Sequence, residues 1–184
     1  MEIKITTNQI LKILQVLSWI IFLGLCVEAG SIICIALYKF FINPTSTYNS
    51  LEGIDLSAIY KFDHGYFLVT ALVMAIIAVL KAIMFYVIVK LFVDKKLNIA
   101  QPFSTDLRHF ILKLSYLALG IGLFTECGFN YSMWLSQQGV TMVNLQLLHF
   151  AGADVWLFMA VILFVIVQIV KRGIEIQNEN DLTI

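Results

Sequence analysis

The chain has 184 residues, 60% of them hydrophobic and 13% charged, with a formal net charge of +0 and a mean hydropathy of +0.90. A soluble domain carries roughly twice that share of charge, so an ordinary water-soluble domain is excluded. The basic residues are dispersed in short connections, which gives no sign of a direct nucleic-acid partner.

The first apolar run covers about residues 10–42. It is too long for a signal-peptide core and has no A-x-A-like exit, so it reads as a retained helix. An outer loop over 43–65 follows, with Asn43-Pro44-Thr45, where proline blocks the glycosylation acceptor, and a half-apolar stretch at 54–60. The second run is about 66–93. The connection 94–106 is basic and contains Pro102; Ser104 or Thr105 is placed as a helix N-cap, with Asp106 in the first turn. The third run spans about 107–135, an uncharged connection covers 136–144, and the fourth run is about 145–170. The tail 171–184 alternates charge with isoleucine and suits a short interfacial helix.

Each run holds the ~20 residues needed to cross a ~30 Å hydrocarbon layer. Backbone groups in lipid must be satisfied within the segment, which favours helices, and the ~10-residue alternating segments of a β-barrel are absent. Lys4, Lys12, Lys90, Lys95, Lys96, Arg108, Lys113, Lys171 and Arg172 fall on one side; Lys39 and Lys61 fall on the other, beside Glu52, Asp55 and Asp63. The positive-inside rule then puts both termini in the cytoplasm, with Trp134, Tyr131, Tyr66, Tyr48 and Tyr38 forming an outer aromatic belt. The expected fold is an all-α integral membrane protein, a single four-transmembrane-helix bundle in the lipid bilayer.

Each run also contains an ionisable residue expected far from its ends: Glu28, Lys81, Glu126 and Asp154. A charge at a helix centre costs ~2.5–3.5 kcal/mol, which the flanking apolar residues offset, but a charge on every helix calls for a reason. At 1.5 Å per residue, Glu28 lies about 24 Å beyond Lys12, Asp154 about 25 Å before Lys171, and Glu126 about 20 Å beyond Lys113. The carboxylates thus share a level in the outer half, with Lys81, about 14 Å from Lys90, below them. Such a layer is resolved by protonation, by pairing with Lys81, by a bound cation, or by an aqueous vestibule. Asn130 and His149 add polar groups nearby, so Glu28, Lys81, Glu126, Asp154, Asn130 and His149 form the candidate ligand-binding set. An ion-paired interior that binds nothing is the structural alternative. A zinc site from Glu126, Asp154 and His149 is poorly aligned, since His149 and Asp154 are not on one helical face.

Gly24-Leu-Cys-Val-Glu28-Ala-Gly30 and Gly122-Leu-Phe-Thr-Glu126-Cys-Gly128 share a G-x-x-x-E-x-G pattern, either by coincidence or from duplication of a helical hairpin. Cys26, Cys34 and Cys127 lie in apolar runs without CxxC spacing and read as buried small hydrophobes rather than a redox pair or metal site. No nucleotide-binding, metalloprotease or serine-hydrolase motif is present, and His64 and His109 read as surface or interfacial residues. No catalytic residue, cofactor or metal is assigned.

The segment Leu97-Asn98-Ile99-Ala100-Gln101-Pro102-Phe103-Ser104, leading into a helix, resembles the G-x-P-F-[ST] loop of the bacterial membrane family called domain of unknown function 2975. The ending from Ile169 to Ile184, with Glu179-Asn180-Asp181-Leu182-Thr183-Ile184, resembles that family's F-x-x-G-x-x-L-x-x-E-x-D-L-T-[IV] terminus. Ala100, Gln101 and Leu107 depart from the loop pattern. The resemblance implies a multi-pass protein of the bacterial inner (plasma) membrane with no established activity. It also implies a helix-turn-helix regulator as partner, docking on the cytoplasmic tail. The expected function is non-catalytic: a sensor, ligand-binding or immunity-type protein using the intramembrane carboxylates. A small transporter or proton/ion-coupled channel subunit is the alternative, and a membrane-embedded metal-dependent enzyme a second one. Glycine-rich faces allow a homo-oligomer.

Overall fold

The computed structural model describes residues 7–41, 57–94, 103–140 and 148–181. Most of the outer loop, the stretch 95–102 with Pro102, the segment 141–147 and the terminal Leu182-Thr183-Ile184 lie outside the described residues. Among those described, all regular structure is helical: α1 (Thr7–Phe41), α2 (Ser57–Phe62), α3 (His64–Val93), α4 (Thr105–Gln137) and α5 (Ala153–Asp181). Four of them, α1, α3, α4 and α5, are long and apolar enough to cross a membrane.

Local chemistry sets the ends. Ser104 is the N-cap of α4, its hydroxyl accepting from Leu107 N at 3.2 Å, and Asp106 sits in the first turn. Asp63 caps α3 by accepting from Gly65 N at 2.6 Å, an N-cap not read from the sequence. The half-apolar stretch of the outer loop becomes α2, which buries Ile59 against the start of α3.

The last helix differs at both ends from the expected 145–170. It begins at Ala153, because His149 (φ +59°) and Gly152 (φ +80°) adopt left-handed backbone that no helix continues through. It then runs on without a break through the basic Lys171-Arg172 pair to Asp181, with Arg172 Nη1 donating to Glu175 Oε2 at 2.9 Å one turn on. The tail is therefore an extension of α5 rather than a separate interfacial helix.

The helices pack serially. α3 lies against α1 and α4, and α4 against α5, with no close backbone approach of α1 to α4 or α5 among the described residues. Phe67, Met74 and Ile77 of α3, Ile121 and Leu135 of α4, and Leu148 and Phe150 of the turn before α5 form the interior. α4 turns a stripe of small residues inward: Ser115, Ala118, Gly122, Thr125, Gly128 and Ser132 are all buried, at spacings of three or four. Small residues let backbones approach. A Cβ on Gly122 would lie 2.8 Å from the Leu157 side chain of α5, and one on Gly128 2.5 Å from the Phe150 ring.

The matching glycines of α1, Gly24 and Gly30, face open space. The two G-x-x-x-E-x-G segments therefore hold different positions in the fold and do not act as equivalent packing repeats. At the opposite end of α3 from Lys90, Tyr66 meets Trp134 edge-on at 5.6 Å and Trp134 stacks on Tyr131 at 6.0 Å. These belt residues are thus one aromatic cluster that α2 joins through Phe62, stacked on Tyr66; Tyr48 lies outside the described residues. The outer surface is apolar: Ile13, Val16, Ile20 and Val27 of α1 and Val155, Phe158 and Val161 of α5 are mostly exposed. Contiguous apolar exposure on this scale suits a hydrocarbon surrounding rather than water.

Candidate functional site

Three of the six candidate residues come into one neighbourhood. His149 Nε2 stands 3.2 Å from Glu28 Oε1, with the two side chains 24% and 23% exposed. That contact joins the middle of α1 to the turn before α5, whose Leu148 and Phe150 share a buried cluster with Ala29 and Ile32 of α1. A left-handed conformation costs a non-glycine residue about 1–2 kcal/mol, so the surrounding packing must hold His149 there. Leu148 and Phe150, both fully buried, do so from either side, the Phe150 ring filling the gap left by Gly128.

Lys81 completes the group. It projects from α3, which separates α1 from α4, into the electrostatic reach of Glu28. Its ammonium also stands 6.0 Å from the centroid of the Trp156 ring on α5, at the outer limit of a cation–π contact. Lys81 is thus a partly buried cation beside the Trp156 indole, with Glu28 within longer electrostatic range.

The other three residues are placed elsewhere. Glu126 and Asn130 are neighbours on one exposed face of α4, Asn130 Nδ2 donating to Glu126 Oε1 at 3.0 Å. Glu126 flanks the small-residue stripe, one turn beyond Gly122, and its side chain is exposed rather than enclosed in the bundle. Asp154 is exposed and lies in the first turn of α5, rather than far from a helix end as its run of sequence suggested. There its charge complements the helix N-terminus, which gives it a structural reason of its own. Of the carboxylates expected at one level, Glu28 is partly enclosed beside His149, while Glu126 and Asp154 are exposed. Among the described residues no group of three or more His, Cys, Asp and Glu side chains is arranged to hold a metal. The three cysteines are free but exposed, rather than buried as expected, because they lie on the outward, apolar faces of α1 and α4.

Two residues near the site escaped sequence reading. Thr125 Oγ1 and Ser132 Oγ are buried and make no hydrogen bond among the described residues. They lie one turn on either side of Gly128, on the face that receives Phe150. An unpaired buried hydroxyl costs about 1–3 kcal/mol, which makes this stripe a polar lining rather than simple packing. The signal was available in the sequence, as small polar residues at helical spacing with Gly122 and Gly128. Lys39, near the end of α1, is also buried, on the same stripe as Ser18, Ala29 and Ile32.

No family model matches the chain, and no curated protein or solved structure does so either.

Proposed function

We propose that the chain is a non-catalytic multi-pass membrane protein, with both termini and the 94–106 connection in the cytoplasm, that senses or binds a cationic ligand at Glu28. The observation that carries this reading is the Glu28–His149 contact, held by a strained backbone beside Lys81. A carboxylate in contact with an imidazole, with an ammonium within electrostatic range, at the joint between α1 and the turn before α5, is suited to exchange partners. A ligand ammonium or metal cation that took the place of His149 would free the turn before α5 and alter how that turn seats on α4. The unpaired hydroxyls of Thr125 and Ser132 supply acceptors beside the same joint.

The helical tail supports a route outward from that joint. α5 is continuous from Ala153 to Asp181, so a change at its N-terminal turn is transmitted along a rigid element to the cytoplasmic end. The bacterial inner membrane as location, kinship with the domain of unknown function 2975 family, and a helix-turn-helix regulator on the tail belong to this proposal. They rest on the tail and loop motifs.

Purified protein in detergent, melted in the presence of spermidine, tetramethylammonium or divalent cations, tests the reading. Stabilisation by at least one cation in the wild type, lost in Glu28→Gln and retained in Glu126→Gln, is the expected pattern. Equal responses in the wild type and Glu28→Gln would remove Glu28 from the function.

A further inference from the structure

A second site, remote from Glu28, lies where α3 ends and α4 begins. A cavity of about 240 Å³ opens there between the two helices. Its chemistry is layered along the helix axes. Asp94, the C-cap of α3, and Asp106, in the first turn of α4, line its outermost end. Lys90 lies one turn back along α3, with His109 one turn along α4 at a similar level. Phe110 shares that level, and Lys113 is a further turn in, level with Val87 and just short of Tyr86. From the helical rise, Lys90 is about 6 Å along the axis from Asp94, and Lys113 about 10 Å from Asp106. Neither lysine forms an ion pair among the described residues, although both share the cavity with carboxylates.

From this layering we infer that the cavity binds the headgroup of a zwitterionic aminophospholipid, its phosphate on Lys90 and Lys113 and its ammonium on Asp94 and Asp106. The inference rests on the membrane reading above. In a leaflet, the acyl chains lie deepest, the phosphate next, and the amine reaches furthest toward water. The cavity likewise places its carboxylates at the mouth and its lysines deeper, among apolar side chains that reach furthest in at Tyr86. A purely anionic headgroup would match the lysines but meet two carboxylates, and a quaternary amine would offer the carboxylates no N–H donor. Basic side chains between membrane helices at the leaflet surface are suited to phosphate, and the acidic tier adds the selection for an amine.

The test is native mass spectrometry of the full-length protein released from vesicles containing equal amounts of phosphatidylethanolamine, phosphatidylglycerol and phosphatidylcholine. Preferential retention of about one phosphatidylethanolamine per chain is expected. Lys90→Gln with Lys113→Gln should weaken retention of all three lipids about tenfold, as for loss of a charge-assisted hydrogen bond, and Lys90→Arg with Lys113→Arg should restore it. Asp94→Asn or Asp106→Asn should erase the preference for phosphatidylethanolamine while leaving phosphatidylglycerol bound. Melting and helicity of each variant show that it is folded, and the two aspartate variants answer the question should the lysine variant fail to fold. Retention of the three lipids in bulk proportion by the wild type would overturn the inference. So would displacement of lipid by soluble phosphoethanolamine or inorganic phosphate at the same concentration, which would make this a site for a free phosphate compound. A chain that alkaline carbonate strips from the vesicles would instead contradict the membrane reading itself.

Discussion

Gly128 of α4 and Phe150 of the turn before α5 fit together so closely that a Cβ on Gly128 would lie 2.5 Å from the aromatic ring. This contact seats the turn that presents His149 to Glu28, so the packing of α4 and the geometry of the site are one problem. Phe150 is fully buried and has nowhere to move.

Gly128→Ala and Gly122→Ala should each destabilise the protein by about 1–3 kcal/mol, the usual cost of overpacking a filled interior. Gly173→Ala meets the Phe103 ring at 2.6 Å, but Phe103 is exposed and can swing aside, so this change should cost little. Gly24→Ala and Gly30→Ala enter open space in a helix interior and should be neutral or stabilising by up to about 1 kcal/mol. Thermal melting in detergent ranks the five variants.

Replacing the unpaired hydroxyls should raise stability. Thr125→Val and Ser132→Ala each remove a buried oxygen with no partner, and a gain on the order of 1 kcal/mol is expected in the absence of ligand. The same variants should weaken cation-dependent stabilisation if these oxygens serve the ligand, a trade of function for stability. Melting with and without spermidine separates the two effects.

The N-cap of α4 offers a local test. Ser104→Ala removes the acceptor for Leu107 N and should cost about 0.5–2 kcal/mol. Hydrogen exchange should show faster opening of the first turn, residues 105–108, with little change near Gln137.

The proposed orientation is checked by labelling in intact cells. In a background of Cys26→Ala, Cys34→Ala and Cys127→Ala, Phe62→Cys should react with a membrane-impermeant maleimide from outside. Gln177→Cys should react only after the cells are opened. The reverse pattern would invert the topology.

Much of the fold was readable because long apolar runs have few alternatives in lipid. The cap at Ser104 was a local signal of the same kind. The start of α5 was not, because Leu145, Leu147, Leu148 and Phe150 continue an apolar run whatever their backbone does. The turn is set by the left-handed residues His149 and Gly152, and only the glycine advertises that conformation. The candidate site was half legible for a related reason. Depth follows from counting residues, so the shared level of Glu28 and Glu126 could be estimated. Facing depends on which helices neighbour one another, and the packing leaves Glu126 exposed at the edge of the α4 stripe while bringing His149 to Glu28.

The most direct measurement is a double-mutant cycle of Glu28→Leu with His149→Asn, read by melting in detergent. Asparagine tolerates left-handed backbone, so the variant removes the ring without breaking the turn. A coupling energy of about 1 kcal/mol or more is expected if the 3.2 Å contact ties α1 to the turn before α5. Effects that add to within about 0.5 kcal/mol would contradict it.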